Sequence, residues 1–227
     1  MQKLLTKLQK YTLNDAIKLE ETDRQFIALK KLIENNKSKE ETLALVIANS
    51  IICYQLSGTG ENYWEEFSSY FLDKEITFDN IIGELSDFMI QSKNNKRFID
   101  TKINRLKKLE FFLRDFSGKG EYFYSHMLEL RDILANIMNQ KKDAKTIVFA
   151  VKMFGYIARN IYVFIPYPKE IFIPIDSRLT NLFEKYKEDY TDINKFYLDL
   201  SIVLDIALLH LDAIVWINYE ELMSENE

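Results

Sequence analysis

Six glycines and three prolines are all the helix breakers this chain of 227 residues has, and the three prolines, Pro166, Pro168 and Pro174, fall within nine residues of one another. A chain with so few residues able to end or reverse an element cannot build a many-turned β fold, so it has to run as helices. Amphipathic spacing bears this out in nine windows: 22–36, 39–56, 61–73, 77–91, 95–116, 121–139, 144–164, 177–190 and a long one within 191–218. Thr22, Ser38, Asn62 and Asp143 are the expected N-caps. Hydrophobic residues make up 47% of the chain, enough for a packed core. No Ser/Gly linker or low-complexity tract divides it. The expectation is one all-α domain over 1–227, with two helical lobes and a connecting region at about 139–178.

Composition excludes several classes. The single cysteine, Cys53, rules out an intramolecular disulfide framework and suits a reducing interior as a buried small hydrophobe. The first fifteen residues scatter lysines and hold no apolar run of signal-peptide length. The most apolar stretch is broken by Asp205, His210 and Asp212 and is too short to span a bilayer. A cytoplasmic, metal-free, cofactor-free protein is expected, acting as a monomer without a membrane. His126 and His210 are far apart and make no metal-binding spacing. No phosphate-binding glycine motif and no nucleophile elbow is present. "SGTGE" at 57–61 and "SGKGE" at 117–121 echo each other, and read as two helix junctions with glycines supplying positive φ rather than as anion sites, because Glu61 and Glu121 would compete with an anion.

One lysine and one aspartate remain. Lys145 opens a strongly apolar helical window; Phe149 and Lys152 follow at i+4 and i+7, on the same stripe. An amine at the mouth of an apolar helix, partly desolvated and facing the positive end of the macrodipole, is held toward its free, nucleophilic form; the alternative from the helix alone is a solvated first-turn lysine that snorkels. The prolines stiffen "IFIPID" into an extended, apolar approach that delivers Asp176 to the start of the helix "SRLTNLFEKY". An N-cap alone does not require so rigid an approach, and a fixed, buried carboxylate near an amine is a candidate site.

"DAKTIVFAVKM" followed by "IPIDSR" resembles the helix-hairpin-helix DNA glycosylase superfamily. The thirty-one-residue spacing from Lys145 to Asp176, the "YPKEIFIPIDSR" approach and the early "TDRQFIAL" and "GENYWEEF" segments are similar to the archaeal 8-oxoguanine DNA glycosylases, the AGOG family. The resemblance runs from about residue 20 to 218. It implies a two-lobed glycosylase fold around a central cleft, and a bifunctional base-excision repair enzyme acting on damaged DNA. It further implies Lys145 as the Schiff-base nucleophile, Asp176 as its charge-stabilising partner, and an extruded base stacked between Phe149 and Trp216. Asp212 would accept from the guanine N1–H and N2–H. Gln25 would accept from the N7–H that only the oxidised base carries. Trp64 and Lys152 would line the rest of the pocket.

The sequence departs from the superfamily in one place: "NQKKDAK" has no glycine where a glycine-rich hairpin usually grips a phosphate. Phosphate contact then falls to Lys141, Lys142 or the helix N-terminus, and Lys142 or Lys152 stay open as alternative nucleophiles. The run 93–108 carries seven Lys/Arg against one Asp, a candidate basic face on a chain of net charge -5. The alternatives are a glycosylase for another base, such as an alkylated purine or uracil, and a non-enzymatic all-α module that binds DNA or protein.

Overall fold

The computed structural model describes residues 1–224, and these contain helices and no strand. In chain order the helices are α1 (Gln2–Leu8), α2 (Leu13–Thr22), α3 (Arg24–Asn35), α4 (Lys39–Ile52) and α5 (Gly60–Phe71). Then come α6 (Ile81–Gln91), α7 (Ile99–Lys108), α8 (Glu110–Asp115), α9 (Gly120–Ser125) and α10 (Met127–Met138). The last are α11 (Lys145–Ala158), α12 (Ser177–Tyr186), α13 (Ile193–Leu204), α14 (Leu208–Ile217) and α15 (Tyr219–Met223). They form two compact units. The larger holds residues 24–165 and the smaller holds 1–23 with 166–227. No single helix among the described residues is long and apolar enough to cross a membrane.

The larger unit is organised by α4 and α11, which pack on each other. Every residue from Thr42 to Ile52 is buried, and so is nearly all of α11 from Ile147 to Ala158. Helices apolar on all sides belong in the middle of a core. Burying each of their Leu, Ile or Phe side chains contributes about 1.5–3 kcal/mol. α11 leaves the core only at its first turn, where Lys145 is exposed and Phe149 is half-buried. α3 packs on both α5 and α11, and α10 packs on α11 from the far side of the hairpin 139–144.

The smaller unit has its own core, in which Leu4, Leu8 and Ala16 meet Ile173, Leu179, Leu182, Phe196, Leu200, Leu211 and Ile214. α14 packs on α2. The proline segment belongs to this unit and contributes to its core, with Tyr167, Ile171, Ile173 and Pro174 all buried. It is not extended throughout, as expected, because the Ile171 N–H bonds the Pro168 carbonyl and closes a turn (3.3 Å). The Tyr167 N–H, between two prolines, donates to His210 Nε2 (3.2 Å), which fixes the imidazole hydrogen on Nδ1, donating to Glu20 (2.7 Å). Both side chains are wholly buried. His210 is thus a core brace for the segment.

Three expected helices are each two. The window 95–116 starts late, because Phe98 takes a left-handed conformation, and breaks at Leu109; 121–139 breaks at His126. The last window breaks at Asp205, again left-handed (φ 56°), with a bend of 97° between α13 and α14. α5 is capped by Thr59, not Asn62, and α11 begins after Ala144, which offers no side-chain cap. The glycine echo is also explained differently. Only Gly118 of those turns has positive φ (72°); Gly58 is needed for close approach, since a Cβ there would lie 2.0 Å from Asn94 Oδ1. The second turn is closed by Glu40, which accepts from the Gly120 N–H (3.0 Å).

Candidate active site

The candidate residues divide between the units. Lys145, Phe149, Lys152, Gln25, Trp64 and the hairpin lysines lie in the larger; Asp176, Asp212 and Trp216 lie in the smaller.

In the larger unit, Lys145 is the first residue of α11 and makes no hydrogen bond or ion pair with a described residue. The expected desolvation is absent, since the side chain is exposed; its helix is buried, but its first turn is where that helix emerges. The stripe it heads passes through half-buried Phe149 to Lys152, which is 4% exposed and has its Nζ 5.3 Å from the Tyr156 ring. Trp64 is wholly buried and meets Phe149 with ring centroids 6.3 Å apart, so it backs that ring rather than presenting a face of its own to solvent. Gln25 is 7% exposed on α3, and its amide lies against Gly60 of α5. An exposed clasp holds these two helices in register: the Arg24 fork gives two bonds of 2.8 Å to Glu65 and one of 2.9 Å to Asn62. Arg24 neighbours Gln25, and Glu65 neighbours Trp64.

Cys53, at the C-cap of α4, shares this region. Burial pushes its thiol up to about 12, with the charges of Lys102 and Lys145 and the Trp64 indole drawing it partly down. Expected as a buried small hydrophobe, Cys53 is half-buried at the end of α4 rather than fully enclosed. The hairpin lysines differ from each other: Lys142 is paired with Asp132 (2.6 Å), while Lys141 is exposed. The expected basic face loses members, because Lys102 is wholly buried and bonded to Asn95, and Arg105 is half-buried. What remains exposed of that run is Lys96, Arg97, Lys107 and Lys108, with Lys93.

In the smaller unit, Asp176 is the N-cap of α12. Its Oδ1 accepts from the Leu179 N–H (2.9 Å), and its second oxygen carries no hydrogen bond from a described residue. It is half-buried, not fully buried as expected. The capping role and the candidate role therefore coexist in one side chain. Asp212, 6% exposed on α14, lies in the same neighbourhood. Burial raises the Tyr197 phenol, and the Asp176 and Asp212 charges raise it further. Trp216 is half-exposed, with the Arg178 guanidinium carbon 3.6 Å from its ring centroid. One face of the indole is thus occupied by a cation, a contact worth about 0.5–2 kcal/mol. Sequence reasoning passed over Arg178. Its signal was a cation in the first turn of α12, the end of a helix that disfavours positive charge.

Among the described residues no group of three or more His, Cys, Asp or Glu is placed to hold a metal.

Residues 5–227 match the family described as AGOG, N-glycosylase/DNA lyase. An N-glycosylase/DNA lyase of Methanococcus maripaludis is 40% identical over 201 residues, covering 87% of this chain and 78% of that one. The N-glycosylase/DNA lyase of Thermococcus kodakarensis is 42% identical over 202 residues, covering 87% and 75%. Among solved structures, the 8-oxoguanine DNA glycosylase of Pyrobaculum aerophilum, complexed with 8-oxoguanosine, superposes with a TM-score of 0.80 at 24% identity, covering 96% of this chain and 87% of that one. The fold is that of the helix-hairpin-helix glycosylases.

Proposed function

Since the chain belongs to the AGOG N-glycosylase/DNA lyase family and is a DNA glycosylase/lyase, we propose that the base it excises is 8-oxoguanine and that Lys145 is its nucleophile. The observation that supports this most is the position of Lys145: an unpaired, exposed amine on the one emergent turn of a helix otherwise buried on all sides. The rival lysines are less suited as nucleophiles. Lys142 is held on the surface in an ion pair with Asp132, and Lys152 is enclosed.

The lysine amine attacks C1′ as the C1′–N9 bond breaks, and the bonding pair leaves with the base. The proton lost from the nitrogen supplies the departing base. Positive charge develops on the sugar, and the free oxygen of Asp176 stabilises it. Opening of the ring C1′–O4′ bond, with O4′ taking a proton from water, gives an iminium between Lys145 and the sugar. Loss of a C2′ proton then expels the 3′ phosphate by β-elimination, and hydrolysis frees the lysine. The base is first drawn out of the duplex, at a cost of roughly a few kcal/mol. Phe149 and Trp216 are assigned its two faces, Asp212 its N1–H and N2–H, and Gln25 its N7–H. That last group separates 8-oxoguanine from guanine, whose N7 is an acceptor. Trp64 supports Phe149, Lys152 lines the pocket, and Lys141, Lys142 and the N–H groups opening α11 meet the phosphates. The enzyme works as a cytoplasmic monomer, nucleoid-associated during repair, without metal or cofactor, as one domain over its length.

The test is single-turnover release from duplexes that differ only in the target base. Release of 8-oxoguanine far above guanine, uracil and an alkylated purine is expected. Preference for uracil or the alkylated purine would contradict the substrate assignment.

A further inference from the structure

The hairpin before Lys145 lacks the glycines that would let its backbone fold tightly, and α11 starts without a side-chain cap. Helix ends without caps fray, and a frayed first turn would let the amine wander. Something other than the backbone has to hold it.

That fastening is visible. α10 ends on Asn139 in a left-handed conformation (φ 50°), and the Gln140 N–H returns to the Ala135 carbonyl (2.9 Å), so asparagine does the work of the missing glycine. The Gln140 side chain then reaches forward, its Oε1 accepting from the hydroxyl of Thr146 (3.0 Å), next to Lys145. Arg105 of α7 closes the triangle, one nitrogen donating to Gln140 Oε1 (3.0 Å) and to Thr146 Oγ1 (3.3 Å). The guanidinium is aimed by its surroundings. It lies over the Tyr54 ring (5.4 Å), which the amine of Lys102 also faces (4.8 Å). Lys102, one helical turn before Arg105, is wholly buried and bonded to Asn95. The Arg105 Nε is buried without a partner. A polar group left so costs stability, which argues that the arrangement is kept for the position it imposes.

We propose that Arg105 is a positioning residue for the Schiff-base lysine, bolting Gln140 to Thr146 and thereby fixing the first turn of α11 from which Lys145 projects. The inference rests on Lys145 being the nucleophile. Arg105 acts through the hairpin and does not touch the DNA.

The experiment uses the full chain and a duplex with one 8-oxoguanine, in single turnover with saturating enzyme. Affinity is read separately on a duplex carrying a tetrahydrofuran abasic analogue. Arg105→Met keeps the stem against Tyr54 and removes the fork. The expected result is an excision rate lower by about 10²-fold, the scale of a small misplacement of a reacting group, with affinity and its salt dependence unchanged. Arg105→Lys, which keeps the charge and one of the two bonds, should fall between. Thr146→Val, nearly isosteric, should lower the rate in the same sense, and the double variant with Arg105→Met should be no slower than Arg105→Met alone. Thr146→Val carries the test should Arg105→Met not fold. A wild-type rate in Arg105→Met overturns the proposal. So does a loss confined to affinity with a shallower salt dependence, which would make Arg105 a phosphate contact. Failure of the wild type to release 8-oxoguanine would instead sink the functional reading.

Discussion

The hairpin at 139–144 and the proline segment at 166–175 perform the same task by opposite means. Each ends by placing one proposed site residue at the start of a helix, Lys145 at the first position of α11 and Asp176 at the N-cap of α12. The hairpin is polar, exposed and held by side-chain hydrogen bonds from Arg105, Gln140 and Thr146. The segment before Asp176 exposes Lys169 and Glu170 but is otherwise mostly apolar and held by packing of Tyr167, Ile171, Ile173 and Pro174, with one buried imidazole satisfying the Tyr167 N–H between its prolines. The two side chains differ accordingly. Lys145 is left without a hydrogen-bonded partner among the described residues, which suits the nucleophile proposed for it, whereas Asp176 has one oxygen committed to its helix and the other without a hydrogen bond from a described residue. An amine has to reach; a carboxylate that steadies charge has to stay.

The sharpest way to break this comparison is to separate the observed cap made by Asp176 from the charge-stabilising role proposed for it. Asparagine caps a helix about as well as aspartate. Asp176→Asn should therefore unfold at the wild-type temperature while its single-turnover excision rate falls by roughly 10²–10⁴-fold, the range of a lost acid–base or charge-stabilising group. An unchanged rate would reduce Asp176 to a cap.

The packing half of the comparison is tested at His210. Its removal leaves the Glu20 carboxylate and the Tyr167 N–H without the imidazole that each meets in the core. His210→Ala should lose about 2–4 kcal/mol in urea denaturation. A loss under about 0.5 kcal/mol, typical of surface changes, would show that the segment is held by its apolar residues alone.

Below the hairpin, Lys102 makes a pH-dependent prediction. Burial lowers its amine to about 8, and the Arg97 charge adds to the shift. An unfolded lysine titrates near ~10.4. Between those two pH values the unfolded chain binds the extra proton, so this group's contribution to stability rises with pH; below about 8 the buried charge carries its full penalty. Lys102→Met removes the group. The stability of the variant relative to wild type should be greatest below pH 8 and shrink by on the order of 3 kcal/mol toward pH ~10.4. Denaturation of both proteins across that window checks it; a constant difference would mean that the amine is solvated.

The smallest effect concerns Trp216. Arg178→Ala frees the covered face of the indole and should weaken binding of an 8-oxoguanine duplex by about 0.5–2 kcal/mol, read by titration at fixed salt. Tighter binding would mean that Arg178 blocks the base rather than backing the ring.

Much of this was legible in the sequence, because it depends on local spacing. The helical windows, the stripe of Lys145, Phe149 and Lys152, and the arrival of Asp176 at a helix start all follow from periodicity and from proline. The late start at Phe98 and the break at Asp205 were hidden, since phenylalanine does not favour the left-handed region and a lone Asp, which tolerates it, is too common inside helical windows to mark a break. The braces were hidden for another reason. His210 meets Glu20 across 190 residues, and Arg105 meets Thr146 across 41, and no single-sequence pattern links such positions. Seven basic residues within 93–108 look like one surface until the fold buries Lys102 and turns Arg105 inward.

The central claim is that Lys145 forms the covalent intermediate, and borohydride trapping tests it most directly. Wild type and Lys145→Gln would each be incubated with a duplex carrying one 8-oxoguanine and reduced in place. A covalent protein–DNA adduct with the wild type, absent from the variant, is the predicted result. An adduct that persists in Lys145→Gln would contradict the account and move the nucleophile to another lysine.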